Sequence, residues 1–168
     1  MVFKYPLIVL LFLLLLLIQF AFLPRLAIMG AAPNLVFVLF FVLVFFEKPY
    51  AYVWGIFFTV LVGFGLDIFF SLYFGPFIIS LLLAYGVVKI YKYFFGEKRG
   101  NFLFIYFAAL FLLCLGLFEA VSYGIGNFSV APLRVNQYFF MSVFLNVVSA
   151  SVGFFLYPFK ASRQLTLF

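Results

Sequence analysis

The sequence contains no histidine, one cysteine and only four acidic residues among its 168 positions. Without histidine, the chain lacks the most common metal ligand and the side chain that usually transfers protons near neutral pH. A single cysteine cannot form a disulfide within the chain, so cysteine usage does not indicate a redox compartment. The sequence also has no nucleophile–base spacing and no glycine-rich phosphate loop. We therefore predict no catalytic residue, no metal and no cofactor.

Charge is also scarce, since 8% of the residues are charged, whereas 70% are hydrophobic and the mean hydropathy is +1.36. Soluble domains carry roughly 25% charged residues. A small fold in water could not bury so much apolar surface, which indicates that the chain resides in lipid. In a membrane protein, the net charge of +6 is typical of basic cytoplasmic loops rather than of nucleic-acid binding.

The long apolar runs predict an all-α, polytopic integral membrane protein that forms one domain over residues 1–168. A helix that crosses the hydrocarbon core needs about 20 apolar residues, and a membrane β-barrel would require an alternation that is absent. Pro33 is expected in the first turn of a helix, and Pro158 is expected to follow the last one. The predicted transmembrane helices, about six, cover residues 6–23, 33–46, 50–67, 75–94, 102–124 and 137–157.

The first apolar run superficially resembles a signal peptide. Its length of about 18 residues exceeds the usual 7–15 residues of such a segment, so we expect a retained helix.

Basic residues predict the orientation of the six helices. With both termini in the cytoplasm, eight lysines and arginines lie inside and two, Arg25 and Arg134, lie outside; the reverse orientation would violate the positive-inside rule. The eight inside residues are Lys4, Lys48, Lys89, Lys92, Lys98, Arg99, Lys160 and Arg163. Lys89 and Lys92 are expected to reach the membrane interface near the end of their helix.

Polar and small residues inside the apolar segments are the remaining signal, because a polar group in lipid is costly unless it is paired. Gly55, Thr59, Gly63 and Asp67 of the third helix are spaced four residues apart and therefore share one face. Small residues at such positions let neighbouring helices approach closely, and Asn146 is expected to form an interhelical hydrogen bond. The predicted helix-packing residues are Gly55, Thr59, Gly63, Gly116, Asn146 and Gly153.

Several polar residues are predicted to gather in the outer half of the membrane. Asp67 and Glu119 lie near outer helix ends, Asn34 begins an inward helix, and an ion pair of either acid with Arg25 or Arg134 would reduce the desolvation cost. The sequence does not choose between these partners, and an unpaired carboxylate would instead stay protonated.

A resemblance to a known family rests on Gln19, on Pro33-Asn34-Leu35, on Gly63-x-Gly65-Leu66-Asp67, and on Gly75, eight residues after the aspartate. In these elements, in their order and in length, the chain resembles the rod-shape-determining MreD family of bacteria. Phe69-Phe70-Ser71 departs from the small residues that often follow the aspartate in that family.

The resemblance implies a non-catalytic scaffold of the peptidoglycan elongation machinery in the bacterial cytoplasmic membrane. Its implied partner is MreC and, through MreC, the cytoskeletal protein MreB, the glycosyltransferase RodA and a class B penicillin-binding transpeptidase, together with membrane lipids. The residues expected to be fold-critical or partner-binding are Pro33, Asn34, Asp67, Ser71, Gly75 and Glu119.

The resemblance also supplies an alternative. MreD-like proteins are similar in fold to the substrate-binding subunits of energy-coupling-factor transporters, so the chain could instead bind a vitamin-like small molecule in its outer half.

Overall fold

The computed structural model describes residues 4–27, 31–47, 52–70, 74–95, 103–126 and 137–164, and these residues are helical apart from short connections. The α-helices are α1 (Lys4–Ala21), α2 (Leu35–Phe46), α3 (Tyr52–Phe70), α4 (Pro76–Phe95), α5 (Leu103–Gly126) and α6 (Gln137–Gln164). A 3₁₀ turn at Leu23–Leu26 follows α1. The predicted all-α class is confirmed. Ser71 and Arg134 lie outside the described residues.

Four of the described helical segments are long and apolar enough to cross a membrane. They are Ile8–Arg25, Pro76–Phe95, Leu103–Ser122 and Phe139–Leu156, and the shorter apolar segments are Leu35–Phe46 and Gly55–Phe69. Many large apolar residues of α1, α5 and α6 are exposed on the outside of the bundle, as expected for a surface in contact with lipid. These features are consistent with a membrane protein.

Several helix boundaries differ from the predicted ones by a few residues, and three of these differences involve residues named above. α2 begins at Leu35 with Asn34 as its N-cap, so Pro33 precedes the helix instead of lying in its first turn. α3 continues past Asp67 to Phe70. α6 continues through Pro158 to Gln164, which is possible because a proline costs a helix one hydrogen bond and a steric clash without always ending it.

The short helix α2 lies at the centre of the bundle. Eight of its 12 residues are buried, and it contacts α1, α3, α4 and α6. Its phenylalanines meet those of α5 in antiparallel order, because the ring centroids of Phe37 and Phe118 lie 4.7 Å apart and those of Phe41 and Phe111 lie 5.1 Å apart. Phe45 continues the series against Phe107 at 5.0 Å. Aromatic rings therefore fill the space between the two helices.

The helices alternate in direction, which gives the bundle two ends. At one end, called here the amide end, Gln19 of α1, Asn34 before α2 and Asn146 of α6 are joined by hydrogen bonds. Asp67 of α3 binds the start of α4 at the same end. The opposite end, called the lysine end, collects Glu47 after α2 with Lys89 and Lys92 of α4.

Replacing Phe41 by alanine should destabilise the bundle by about 3–5 kcal/mol, the usual cost of removing a large buried aromatic side chain. Phe41 is 0% exposed and contacts rings of α2 and α5. The free energy of unfolding in detergent micelles would measure the effect. Phe140→Ala is the matched control, because Phe140 is 64% exposed, and an equal loss in both variants would contradict the assigned core.

Candidate functional site

The amide end contains a hydrogen-bond network around the start of α2. The Gln19 side chain donates from Nε2 to Asn34 Oδ1 at 3.1 Å and accepts at Oε1 from the Val36 amide at 3.1 Å. Asn34 Oδ1 also accepts from the Phe37 amide at 3.0 Å, which is the N-cap interaction of α2. The network thus pairs two of the first backbone N–H groups of α2, which no carbonyl within the helix can reach.

Asn146 extends this network from α6. Its Oδ1 accepts the backbone N–H of Asn34 at 2.7 Å, and its Nδ2 donates to the Ser142 carbonyl at 3.0 Å. Asn146 is 1% exposed. The expected interhelical contact of Asn146 is present, and its acceptor atom serves a backbone amide just before α2. Side chains of α1 and α6 therefore fix the position at which α2 begins.

Asp67 forms a second cap at the amide end. Its Oδ2 accepts the Gly75 amide at 3.0 Å and its Oδ1 accepts the Phe77 amide at 3.0 Å, so the carboxylate of α3 binds the beginning of α4. A negative charge at a helix N-terminus is also favoured by the helix dipole. Gly75 has a φ of +118°, a backbone conformation that only glycine adopts without strain.

The partner of Asp67 is therefore the backbone and not, among the described residues, an arginine. Asp67 is 2% exposed, and its two oxygens each receive an amide hydrogen. Arg25 is exposed in the 3₁₀ turn, and the described residues give it no ion pair with either acid. Arg134, the other expected partner, lies outside the described residues.

Gly55 and Gly63 of α3, which the sequence predicted to be helix-packing residues, lie against α4. A Cβ placed on Gly63 would lie 2.6 Å from the Ile78 Cα, and one placed on Gly55 would lie 2.7 Å from Tyr85 Cε2. Thr59 is fully buried, and its hydroxyl donates to the Gly55 carbonyl at 2.7 Å. Small residues at these positions allow the two helices to approach closely.

The other two predicted packing glycines behave differently from each other. A Cβ on Gly153 would lie 3.1 Å from Val42 Cγ2, so Gly153 allows α6 to approach α2. Gly116 is exposed, and no described atom lies within 4 Å of a Cβ built on it. The prediction is therefore corrected at Gly116, because the buried face of α5 is formed by Phe111, Cys114 and Phe118 instead.

The lysine end carries contacts that the sequence did not predict. Lys89 Nζ lies 2.7 Å from Glu47 Oε2, with side chains 10% and 17% exposed. Lys92 Nζ donates to the carbonyls of Glu47 at 2.6 Å and Val44 at 3.2 Å, which lie at the C-terminal end of α2. Both lysines thus bind the end of α2, and their expected position at the membrane interface stays a prediction. Their spacing of three residues, which places them on one helix face, was the available signal.

Glu119 stands apart from these networks and lines a cavity of about 310 Å³ at the amide end. The cavity is bounded by α5, α6 and the segment before α2, and its lining residues are Ala31, Ala32, Leu115, Glu119, Phe139, Ser142 and Val143. Within the described part of the chain, the Glu119 carboxylate has no hydrogen-bond or ion-pair partner. Ser142 was not among the predicted site residues, since several serines occur along α6 and no pattern distinguishes this one.

Comparison with known protein families, with curated proteins and with solved structures found no match. Among the described residues, no group of three or more histidine, cysteine, aspartate or glutamate side chains could hold a metal ion.

Replacing Asn146 by leucine should destabilise the protein by about 1–3 kcal/mol, because the part-buried Asn34 amide then loses its acceptor. Thermal unfolding in detergent would measure the loss. Val148→Leu on the same helix is the matched control, since Val148 is 45% exposed. An Asn146 variant as stable as this control would show that the amide network does not hold α2.

Proposed function

We propose that this chain is a non-catalytic scaffold of the peptidoglycan elongation machinery in the bacterial cytoplasmic membrane, as its resemblance to the MreD family implies. In this proposal the chain crosses the membrane six times and binds MreC. Through MreC it would act with MreB, RodA and a class B penicillin-binding transpeptidase. Both termini would face the cytoplasm, which places the lysine end inside and the amide end outside.

The main observation that supports the proposal is that residues that carry the resemblance also hold the bundle together. Gln19 and Asn34 cap α2, while Asp67 and Gly75 shape the connection between α3 and α4. A sequence signature made of such residues is a signature of a fold. A protein whose characteristic residues serve its shape in this way would meet partners through its outer surface, as a scaffold does.

The outward faces of the helices suit contacts inside the bilayer. Large apolar side chains of α1 such as Leu10, Leu14 and Leu17 are 53–62% exposed. Such faces contact either lipid or the transmembrane helix of a partner. Since helices in lipid associate by close packing and interhelical hydrogen bonds, a partner with a single membrane-spanning helix could bind such a face.

Asp67→Leu should reduce co-purification of a co-expressed MreC-like partner and abolish restoration of rod shape in cells that lack their own MreD-like protein. The physical reason is that the substitution leaves two amides at the start of α4 without acceptors, each at a cost of about 1–3 kcal/mol. Partner recovery on an affinity-tagged chain and cell shape by microscopy would be measured together.

Ile68→Leu is the matched control for this experiment, because Ile68 is the next residue of α3 and is 51% exposed. The control should retain both partner capture and cell shape. Failure of the unmodified chain to capture MreC or to restore rod shape would contradict the proposal itself, whatever the behaviour of the Asp67 variant.

A small-molecule-binding subunit of an energy-coupling-factor-type transporter is the second candidate, and the cavity beside Glu119 favours it. Its volume of about 310 Å³ is at the lower end of the range found for ligand pockets, roughly 300–1,000 Å³. A thermal-shift screen with vitamins should then give a strong shift for one compound. Uniformly absent shifts would count against transport and leave the scaffold proposal intact.

A further inference from the structure

The cavity at the amide end combines one carboxylate with an apolar wall. Glu119 projects from α5 and Ser142 from α6, while Leu115, Phe139 and Val143 supply apolar surface. The volume of about 310 Å³ is well above the space that a single water molecule needs. The cavity can therefore hold a group of several non-hydrogen atoms.

Glu119 lies within the apolar segment Leu103–Ser122, where an ionised carboxylate is costly unless a positive charge accompanies it. The described lysines near the bundle core do not supply that charge, because Lys89 and Lys92 bind Glu47 and the end of α2 at the opposite end of the bundle. Among the described residues, no donor is bound to the Glu119 carboxylate. The cavity beside it leaves space for a donor from another molecule.

Ser142 offers a second polar contact at the same cavity. Among the described residues, its Oγ accepts one long hydrogen bond, from Asn146 Nδ2 at 3.4 Å, and a hydroxyl oxygen can accept two hydrogens. Ser142 can thus accept a hydrogen from a ligand, while Asn146 fixes its position through the network that caps α2. The cavity is in this way connected to the structural core of the amide end.

We propose that this cavity binds a primary ammonium group carried on a short carbon chain. The ammonium would pair with the Glu119 carboxylate and donate a further hydrogen bond to Ser142 Oγ, while its carbon chain contacts Leu115, Phe139 and Val143. One carboxylate and one hydroxyl match a single positive charge, whereas an anionic ligand would meet a like charge at Glu119. The same chemistry occurs in a free alkylamine and in the ethanolamine headgroup of a phospholipid.

The proposal goes beyond the scaffold function and does not depend on it. A membrane scaffold could carry such a site for a lipid headgroup, and a transporter subunit could carry it for a soluble amine.

Binding of n-butylammonium chloride to the purified chain in detergent micelles tests the site. The melting temperature of the unmodified chain should rise with n-butylammonium and stay unchanged with 1-butanol, which has the same carbon chain without the charge. Because removing one partner of a close charge pair weakens binding, Glu119→Gln should weaken the apparent affinity by about tenfold or more. Ser142→Ala should weaken it less, since a neutral hydrogen bond contributes less.

Glu47→Gln is the matched control, because Glu47 is an acidic residue at the lysine end and should leave the n-butylammonium response unchanged. Equal responses to n-butylammonium and 1-butanol, or equal responses of the unmodified chain and Glu119→Gln, would overturn the proposal. If Glu119→Gln does not fold, carbodiimide labelling of Glu119 in the unmodified chain replaces it. Protection by n-butylammonium but not by 1-butanol would then support the proposal, and absence of protection would overturn it.

Nanodiscs of defined composition distinguish the two sources of the ammonium group. Native mass spectrometry should show phosphatidylethanolamine retained in preference to phosphatidylcholine, and Glu119→Gln should lose this preference, if the ligand is a lipid headgroup. A response to n-butylammonium in phosphatidylcholine nanodiscs without any lipid preference would support a soluble amine. Absence of both effects would overturn the proposal.

Discussion

The short buried helix α2 can exist only because other helices satisfy its polar ends. Its 12 residues extend about 18 Å at 1.5 Å per residue, less than the roughly 30 Å of a hydrocarbon core. In the membrane that the composition indicates, at least one of its ends would then lie at a depth where water cannot hydrogen-bond its backbone. Gln19, Asn34 and Asn146 provide the partners at one end, and Lys92 provides them at the other.

This requirement explains how the rest of the bundle is arranged. The first and last helices must both reach the start of α2 to supply Gln19 and Asn146, which draws two segments distant in the chain to one place. α4 must reach the end of α2 with Lys89 and Lys92, and Asp67 in turn anchors the start of α4. Between the two ends, α2 contacts the core only through apolar side chains. The phenylalanines of α5 fill the space that remains beside it.

A substantial part of this arrangement could be predicted from particular residues. The four-residue spacing of Gly55, Thr59 and Gly63 places them on one face, and the structure shows the glycines of that face against α4. Asn146 was recognisable as a buried amide because few polar residues interrupt its apolar helix. Gly116 belonged to the same kind of pattern and is nevertheless exposed, because a periodic stripe identifies a face without identifying what covers it.

The sequence by itself determined the all-helical class and the approximate helix positions. It also showed that polar groups are scarce, so that each polar residue inside an apolar helix is significant. These properties follow from composition and periodicity, which are local along the chain. Only the tertiary structure decided that Asp67 binds two backbone amides, that Lys89 and Lys92 bind the end of α2, and that Glu119 faces a cavity. A polar side chain can pair with many groups, and its partner depends on which helices are neighbours, so the pairing cannot be derived from spacing along one helix.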